Sequence, residues 1–211
     1  MPTTHITRLP EKGVQDRAQL DALLDEALVA HVGLVADGHP VVIPTAIARD
    51  NDTALVHGST GSRWMRLLAG GAPTCVTVTA LEALVVARSA FESSMHYRSA
   101  VLFGRFTALS GPAKLSALDV LVEALIPGRT RELRASTDKE LAATVVLAMP
   151  IEQWSLKVSD GWPEDTAEDV AGDAWAGVVP LLHGVGTPGA APDLRPGIDL
   201  PPSVRALAVE R

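Results

Sequence analysis

The chain has 211 residues, of which 47% are hydrophobic and 20% are charged, as is typical of a globular domain with a hydrophobic core. Its net charge of −7 would repel a nucleic-acid backbone, so the composition argues against DNA or RNA as a partner. The polar beginning and the lack of a long apolar run argue against a signal peptide or a membrane span. The single cysteine, Cys75, excludes an intramolecular disulfide and favours a reducing, cytoplasmic setting.

The first part of the chain predicts one helix followed by three short strands. Apolar residues recur at helical spacing from Leu20 to Leu28, and Asp16 is a suitable N-cap. Three β-rich segments come next, at 31–36, 40–48 and 53–58. Because the turn sequences Asp37-Gly38 and "RDND" separate them, we expect the three strands to form an antiparallel meander.

The rest of the chain adds further strands and helices. The predicted elements are a helix over 62–69, strands over 74–90 and 97–109, a helix over 115–125, a helix over 141–149 and a strand over 151–158. Thr137 and Glu140 form a capping-box signature before the last of these helices. From Asp160 onward, Gly, Pro and acidic residues predict mostly irregular structure. Antiparallel strands with inserted helices indicate a mainly β protein built as a small closed or half-closed barrel.

The segment "VHGSTGSRWMRLL", residues 56–68, is a candidate anion site. Ser59, Thr60 and Ser62 precede a predicted helix, whose first N–H groups and Arg63 could bind a phosphate. The segment is neither a G-x-x-x-x-G-K-[ST] loop nor a G-x-G-x-x-G fingerprint. Taken alone, the segment is better interpreted as a capped turn without a ligand, because Gly and Ser are ordinary turn residues.

Two other segments have both a functional and a structural interpretation. Pro44 cannot donate to a strand ladder, so its strand should lie at an edge or an opening, where a planar ligand could reach the backbone. His96, Tyr97 and Arg98 cluster at the start of a strand, where polar residues commonly face solvent. The histidines lack a recognisable metal-ligand spacing, so we expect no metal site.

Four motifs occur in a characteristic order, namely "VIPT", "HG-x₃-SR", "YRSAV-x-FG" and "WAGVVPL". Over roughly residues 10–182 the chain resembles the pyridoxamine 5′-phosphate oxidase-like flavoproteins, in the branch that includes the nitroimidazole-reductase-like proteins. The resemblance implies a split β-barrel of the antiparallel Greek-key type, which binds FMN at a homodimer interface. It also implies an FMN-binding domain over 1–182 and a Pro/Gly-rich C-terminal tail over 183–211.

The resemblance further implies a set of cofactor contacts, which are Ile43, Pro44, Thr45, His57, Gly58, Ser59, Ser62, Arg63, Trp64, Tyr97, Ser99 and Trp175. The first three would lie along the isoalloxazine edge, where their backbone groups would meet the polar atoms of the flavin, and the next two would lie on the following strand. Ser62 and Arg63 match the pair that holds the FMN phosphate, and Trp64 takes the place of a family lysine. Ser99 matches a polar residue that contacts the ring. Trp175 matches a tryptophan that reaches the cofactor from near the C-terminus.

Two departures from the family pattern argue against vitamin B6 oxidation. Ile47 stands where true pyridoxamine phosphate oxidases carry a basic residue, and Leu181 replaces the arginine of their Arg-x-His motif, although His183 remains. A pocket without those cations would bind a pyridoxal phosphate poorly.

The leading hypothesis is therefore an FMN-dependent oxidoreductase that acts on a small, neutral, planar organic molecule. His57, His96 and Tyr97 are candidates for proton transfer by residue type only. Two alternatives stay open: the same fold with a deazaflavin coenzyme or a histidine-bound haem, and a non-enzymatic flavin-binding sensor or carrier.

Overall fold

The computed structural model describes residues 4–210. Its strands are β1 (Gly13–Val14), β2 (Val29–Ala36), β3 (His39–Ala46), β4 (Ala48–Asp50), β5 (Thr53–Ser59), β6 (Thr74–Val86), β7 (Ser94–Gly104), β8 (Thr107–Ala108), β9 (Thr144–Pro150), β10 (Gln153–Ser159) and β11 (Gly177–Pro180). Its α-helices are α1 (Arg17–Glu26), α2 (Arg63–Ala69), α3 (Gly111–Leu125), α4 (Asp138–Ala143), α5 (Ala167–Val170) and α6 (Pro202–Glu210). None of these helices is long and apolar enough to cross a membrane. The predicted mainly β class with inserted helices is confirmed.

The strands form two antiparallel sheets. The seven-stranded sheet has the order β1-β10-β7-β6-β2-β3, and β11 pairs with β6 beyond the end of β2. The four-stranded sheet has the order β4-β5-β9-β8. Pro44 lies in β3, at the edge of the larger sheet, as its missing N–H predicts.

The two sheets and helices α1 and α2 enclose the main hydrophobic core. Large side chains that are fully buried there include Leu20, Leu23, Leu24, Ile47, Met65, Leu68, Leu102, Phe106, Leu147, Met149 and Leu156. A second cluster lies between the four-stranded sheet and α3, and it contains Ala48, Leu55, Ala117, Leu121 and Val146. The four-stranded sheet therefore has a hydrophobic layer on both faces.

Two predicted helix caps are confirmed. The Asp16 side chain accepts a hydrogen bond from the Ala18 N–H at the start of α1. Thr137 and Glu140 form the reciprocal capping box of α4. Local side chains therefore fix both helix starts.

The predicted helix over 141–149 is largely wrong. Helix α4 ends at Ala143, and the segment from Thr144 continues as β9. Val146 and Leu147 are both fully buried, although they point to opposite faces of the strand. A strand with apolar layers on both sides has a nearly continuous apolar sequence, which periodicity alone does not distinguish from a helix.

The predicted three-strand meander is also wrong at its third strand. β2 pairs with β3, but β5 pairs with β4 and β9 in the other sheet. The chain changes sheets after β3. There the side chain of Ile47 packs in the main core and that of Ala48 packs in the cluster below α3. The long strands also end earlier than predicted, because β6 stops at Val86 and β7 at Gly104.

The segment after Asp160 is mostly irregular, as predicted, but it contains β11 and two short helices. At the start of α6, the backbone N–H and the hydroxyl of Ser203 donate to the Glu132 carboxylate at 3.0 Å and 2.6 Å. Ser203 is buried by this contact. The C-terminal segment thus packs back onto the turn that follows α3.

Gly104 supplies a test of packing between the two sheets. A β-carbon there would lie 2.8 Å from Met149 Sδ and 2.9 Å from Met149 Cγ, and Met149 is fully buried. We expect Gly104→Ala to lower the free energy of unfolding by about 1–3 kcal/mol through overpacking. Urea denaturation measures the change, with Gly186→Ala as the control because a β-carbon there meets no atom within 4 Å. Equal stabilities of the two variants would contradict this packing.

Candidate functional site

The turn between β5 and α2 presents polar groups at the end of a strand. Ser59 ends β5, and its hydroxyl accepts a hydrogen bond from the Gly61 N–H at 3.2 Å. Ser62 is the N-cap residue of α2, but its side chain caps no N–H group of the helix. The first N–H groups of a helix have no acceptor within the helix itself. The turn therefore offers a hydroxyl and backbone donors to an external acceptor.

Two arginines flank this turn and have different environments. Arg66 donates to the Gly61 carbonyl at 2.8 Å and so braces the turn. Arg63 is exposed and forms an ion pair with Asp37, in the turn between β2 and β3. Hydrogen bonding to Arg63 lowers the pKa of Asp37, and hydrogen bonding to Asp37 raises the pKa of Arg63. An anion that binds Arg63 must therefore compete with Asp37.

Gly58 and Trp64 have structural roles next to the turn. A β-carbon at Gly58 would lie 2.6 Å from Met65 Cε and 3.1 Å from Met65 Cγ, so the absence of a side chain lets α2 pack against β5. Trp64 is half-buried against the main core. These two residues position the turn.

His57 points away from the main core, toward α3. It pairs with Val146 across the β5–β9 ladder, and Val146 belongs to the cluster below α3. Burial lowers the pKa of His57, so the neutral imidazole is favoured. Its Nδ1 atom is buried and has no hydrogen-bond partner among residues 4–210.

The residues of β3 divide between the two faces of the larger sheet. Ile43 and Thr45 pair with the fully buried Val32 and Ala30, and they face the core. Pro44 is exposed on the opposite face, which we call the outer face. Ile47, at 2% exposure, fills the main core. Hydrophobic packing thus occupies the position where the related oxidases carry a basic residue.

Tyr97 and Ser99 also belong to the outer face, because the alternate β7 residues Ala100 and Leu102 are buried in the core. The Ser99 hydroxyl lies 3.2 Å from the Thr79 hydroxyl of β6. Three strand spacings, about 14 Å in all, separate the β7 and β3 positions on this face. The outer face therefore brings Tyr97, Ser99 and Pro44 onto one surface.

Arg98 lies on the other face of β7 and is already paired. Its guanidinium donates to Glu82 and to Glu26, both at 2.6 Å. Two carboxylates thus neutralise Arg98, which makes it a weaker candidate than Arg63 for binding an anion.

The C-terminal candidates lie near β6 and β11. Trp175 is 66% exposed, and its ring packs over Gly177. His183 Nε2 lies 3.3 Å from the Leu81 carbonyl, and His96 Nε2 lies 2.9 Å from the Gly161 carbonyl. Within residues 4–210, no group of three or more His, Cys, Asp or Glu side chains is arranged to hold a metal ion.

The predicted contacts therefore fall into four sets. Ser59, Ser62 and Arg63 meet in one turn, while Tyr97 and Ser99 share the outer face with Pro44. Trp175 stands apart beside β11. The side chains of Ile43, Thr45 and Trp64 face the core. The side chain of His57 faces α3, and Gly58 has no side chain.

Sequence reasoning missed two neighbours of these groups. Asp37 pairs with Arg63, although the sequence suggested only a turn at Asp37-Gly38. Thr79 contacts Ser99 from the adjacent strand. Alternation along 74–86 was the available signal for Thr79, whereas nothing local links Asp37 to Arg63.

The family described as "Pyridoxamine 5'-phosphate oxidase" matches residues 16–158, more than half of the chain. The chain therefore belongs to the pyridoxamine 5′-phosphate oxidase-like family of flavin-binding proteins. A comparison with curated protein sequences gave no significant match.

Solved structures of similar proteins include two that cover nearly the whole chain. An FAD- and haem-binding protein from Mycobacterium smegmatis is 55% identical, covers 93% of this chain and 97% of its own, and superposes with a TM-score of 0.91. The flavocytochrome Anf3 from Azotobacter vinelandii is 36% identical, with coverages of 97% and 95% and a TM-score of 0.90.

A putative 5-nitroimidazole antibiotic resistance protein from Bacteroides thetaiotaomicron shares the fold at 22% identity. It covers 69% of this chain and 86% of its own, and its TM-score is 0.59.

The buried ring of His57 predicts a pH dependence of stability in the cofactor-free protein. The lowered pKa means that the unfolded chain, with a histidine pKa near 6.5, binds more protons than the native state over the interval between the two values. Stability should therefore fall as the pH drops below about 6.5, by at most about 1.4 kcal/mol per pH unit, and then level off below the native pKa.

Urea denaturation of the wild-type protein and of His57→Gln between pH 5 and 8 measures this contribution. We expect the slope to be smaller in His57→Gln, with the exposed His39→Gln as a matched control. Identical slopes for the wild type and His57→Gln would refute the burial argument.

Proposed function

We propose that the protein is a flavin-dependent redox protein that also binds haem and acts as a homodimer. The observation that carries this proposal is the 55% identity, over 93% of the chain, to a protein described as binding FAD and haem. The similarity at 36% identity to a protein described as a flavocytochrome supports a flavin together with a haem. A bound flavin would supply hydride and electron transfer, while the protein supplies position and electrostatics.

The turn before α2 is the proposed binding site for the flavin phosphate. The Ser62 hydroxyl, the first N–H groups of α2 and the Arg63 guanidinium together suit a phosphate oxygen. The motif resemblance favoured FMN, but the relative at 55% identity is described as binding FAD. We therefore propose FAD as the resident flavin and keep FMN as the alternative that the titration below distinguishes.

His57 is the proposed haem ligand. An imidazole binds haem iron through a neutral ring nitrogen, and burial favours the neutral ring of His57. The Nδ1 atom of His57 is buried and has no hydrogen-bond partner among residues 4–210, whereas buried polar atoms normally have one. The ring is therefore available to bind a further group. Nε2 of His96 and of His183, by contrast, already lies within hydrogen-bond distance of a backbone carbonyl.

A second copy of the chain would cover the outer face of the larger sheet. Val29, Val35 and Val42 are more than half exposed there, and Leu81 is partly exposed. Extended apolar surface of this kind is typical of an interface between subunits. This surface supports the proposed homodimer.

The proposed substrate is a small, neutral, planar organic molecule rather than a pyridoxal phosphate. Ile47 is buried and Leu181 is apolar, so neither position supplies a cation for a substrate phosphate. Residues 183–211 are proposed to be a tail outside the cofactor domain, and the single cysteine supports a cytoplasmic setting. A deazaflavin enzyme and a non-enzymatic sensor remain the rival functions, which absorption spectra and NAD(P)H turnover separate.

Arg63→Ala tests the phosphate site. Removal of a charge-assisted bond worth roughly 1.5–3 kcal/mol should weaken FAD and FMN about ten- to a hundred-fold. Riboflavin lacks the phosphate, so its affinity should change little. Fluorescence titration of the apoprotein with all three flavins measures the effects and also ranks FAD against FMN, with the exposed Arg195→Ala as the control.

Asp37→Asn is the complementary variant. Removal of the competing carboxylate should strengthen FAD and FMN binding and leave riboflavin unchanged. If all three flavins weaken equally in Arg63→Ala, Arg63 supports the structure and does not bind the phosphate.

Haem reconstitution tests the second cofactor. The wild-type protein should develop a stoichiometric Soret band on titration with haem, and His57→Gln should lose or shift it because the proposed iron ligand would be missing. His96→Gln and His183→Gln should keep the wild-type spectrum. A wild-type-like Soret band in His57→Gln would exclude this ligand, and no band in the wild type would exclude haem.

A further inference from the structure

Two lysines converge on the outer face along β10. Trp154, Leu156 and Val158 of β10 pack against the main core, so Lys157 projects from the opposite, outer face. Its ammonium donates to the Arg8 carbonyl at 3.2 Å. Lys12 comes from the turn before β1, and its ammonium donates to the Ser159 hydroxyl at 3.1 Å.

The strand register brings the two lysines to adjacent positions along β10. Gly13, which follows Lys12, pairs with Lys157 across the β1–β10 ladder. Lys157 and Ser159 are two residues apart on the same face, which corresponds to about 7 Å along the strand. Both lysine side chains are half-buried, and Ser159 is buried.

The two lysines differ in their electrostatic environment from the arginines that form ion pairs. Within residues 4–210, neither lysine forms an ion pair, whereas Arg63 and Arg98 each have a carboxylate partner. A negative group that reached both lysines would therefore gain charge-assisted bonds without displacing a carboxylate. The chain carries a net charge of −7, so a cationic site of this kind is a local feature.

Hydroxyl groups complete the surroundings. On the outer face, Lys157 is directly opposite Ser99 and Ser159 is directly opposite Tyr97. Ser99 in turn contacts Thr79. Ammonium and hydroxyl donors arranged around one patch are the groups that recognise a phosphate or a carboxylate.

We propose that Lys12 and Lys157 form an oxyanion-binding site that holds a charged group of a bound cofactor, either a flavin phosphate or a haem propionate. This inference rests on the proposed function, since the site borders Tyr97 and Ser99, the two proposed cofactor contacts that define the proposed cofactor surface on the outer face. It lies on a different element from the turn at Arg63. It therefore supplies a second anchor for a cofactor that carries two anionic groups.

The first experiment uses pyrophosphate as the probe and does not depend on either cofactor. Thermal unfolding is followed at constant ionic strength in the Arg63→Ala background, so that the turn before α2 contributes little. Pyrophosphate should raise the Tm, because a ligand that binds the native state stabilises it. Lys157→Gln and Lys12→Gln should each abolish most of that rise.

Two further variants separate charge from structure. Lys157→Arg keeps the charge and should retain the rise in Tm, and the exposed Lys139→Gln on α4 is the matched control. An undiminished rise in both Lys157→Gln and Lys12→Gln would overturn the proposal. If Lys157→Arg loses the rise in Tm as Lys157→Gln does, the proposal is also overturned.

The second experiment identifies the source of the charge with otherwise wild-type Lys157→Gln. A tenfold or greater loss of FAD or FMN affinity, with riboflavin unchanged, assigns the site to a flavin phosphate. A similar loss for haem, with haem dimethyl ester unchanged, assigns it to a propionate. Unchanged affinity for every cofactor overturns the assignment to a cofactor. If the wild type binds neither flavin nor haem, the proposed function fails, while the pyrophosphate experiment still decides whether the lysines bind an oxyanion.

Discussion

The passage of the chain from one sheet to the other, at Ile47 and Ala48, is the constraint on which the rest of the structure depends. These neighbours are buried on opposite sides, one in the main core and the other below α3. The smaller sheet therefore closes one side of the core and supports α3 on its other side. Because β5 belongs to that sheet, the turn from Ser59 to Arg63 emerges at its rim, where it reaches Asp37 of the β2–β3 turn.

The cations around the proposed cofactor surface fall into two electrostatic classes. Arg63 and Arg98 form ion pairs with carboxylates. An incoming anion must therefore either displace the carboxylate or bind an arginine whose charge is already neutralised. Within residues 4–210, Lys12 and Lys157 donate to neutral oxygens and have no carboxylate partner. Charge-assisted bonds to a ligand gain more when the donor gives up a neutral acceptor than when it gives up a carboxylate. Affinity and selectivity can thus reside in different parts of the same surface.

Local signals in the sequence predicted more than long-range signals did. The caps at Asp16 and Thr137 depend on residues within one turn, and the Ser-Arg turn before α2 was found for the same reason. The pairing of β5 with β9 joins segments far apart in the chain, so the turn signals near β5 suggested the wrong neighbour. The Arg63–Asp37 pair and the convergence of the lysines also depend on tertiary packing, which no spacing in the sequence records. Motif resemblance identified the family, but it did not indicate that Ile43 and Thr45 face the core.

The double burial of β9 has an evolutionary consequence. A strand with one solvated face can exchange the residues of that face at little cost. Both faces of β9 pack against apolar layers, so nearly every position there is under the same demand for volume and shape. Substitutions in β9 should therefore be accepted mainly in compensated pairs, with a change in α3 or in the main core accompanying each one. Divergence within such a lineage would therefore be slowest in β9, the strand that is hardest to recognise from its sequence.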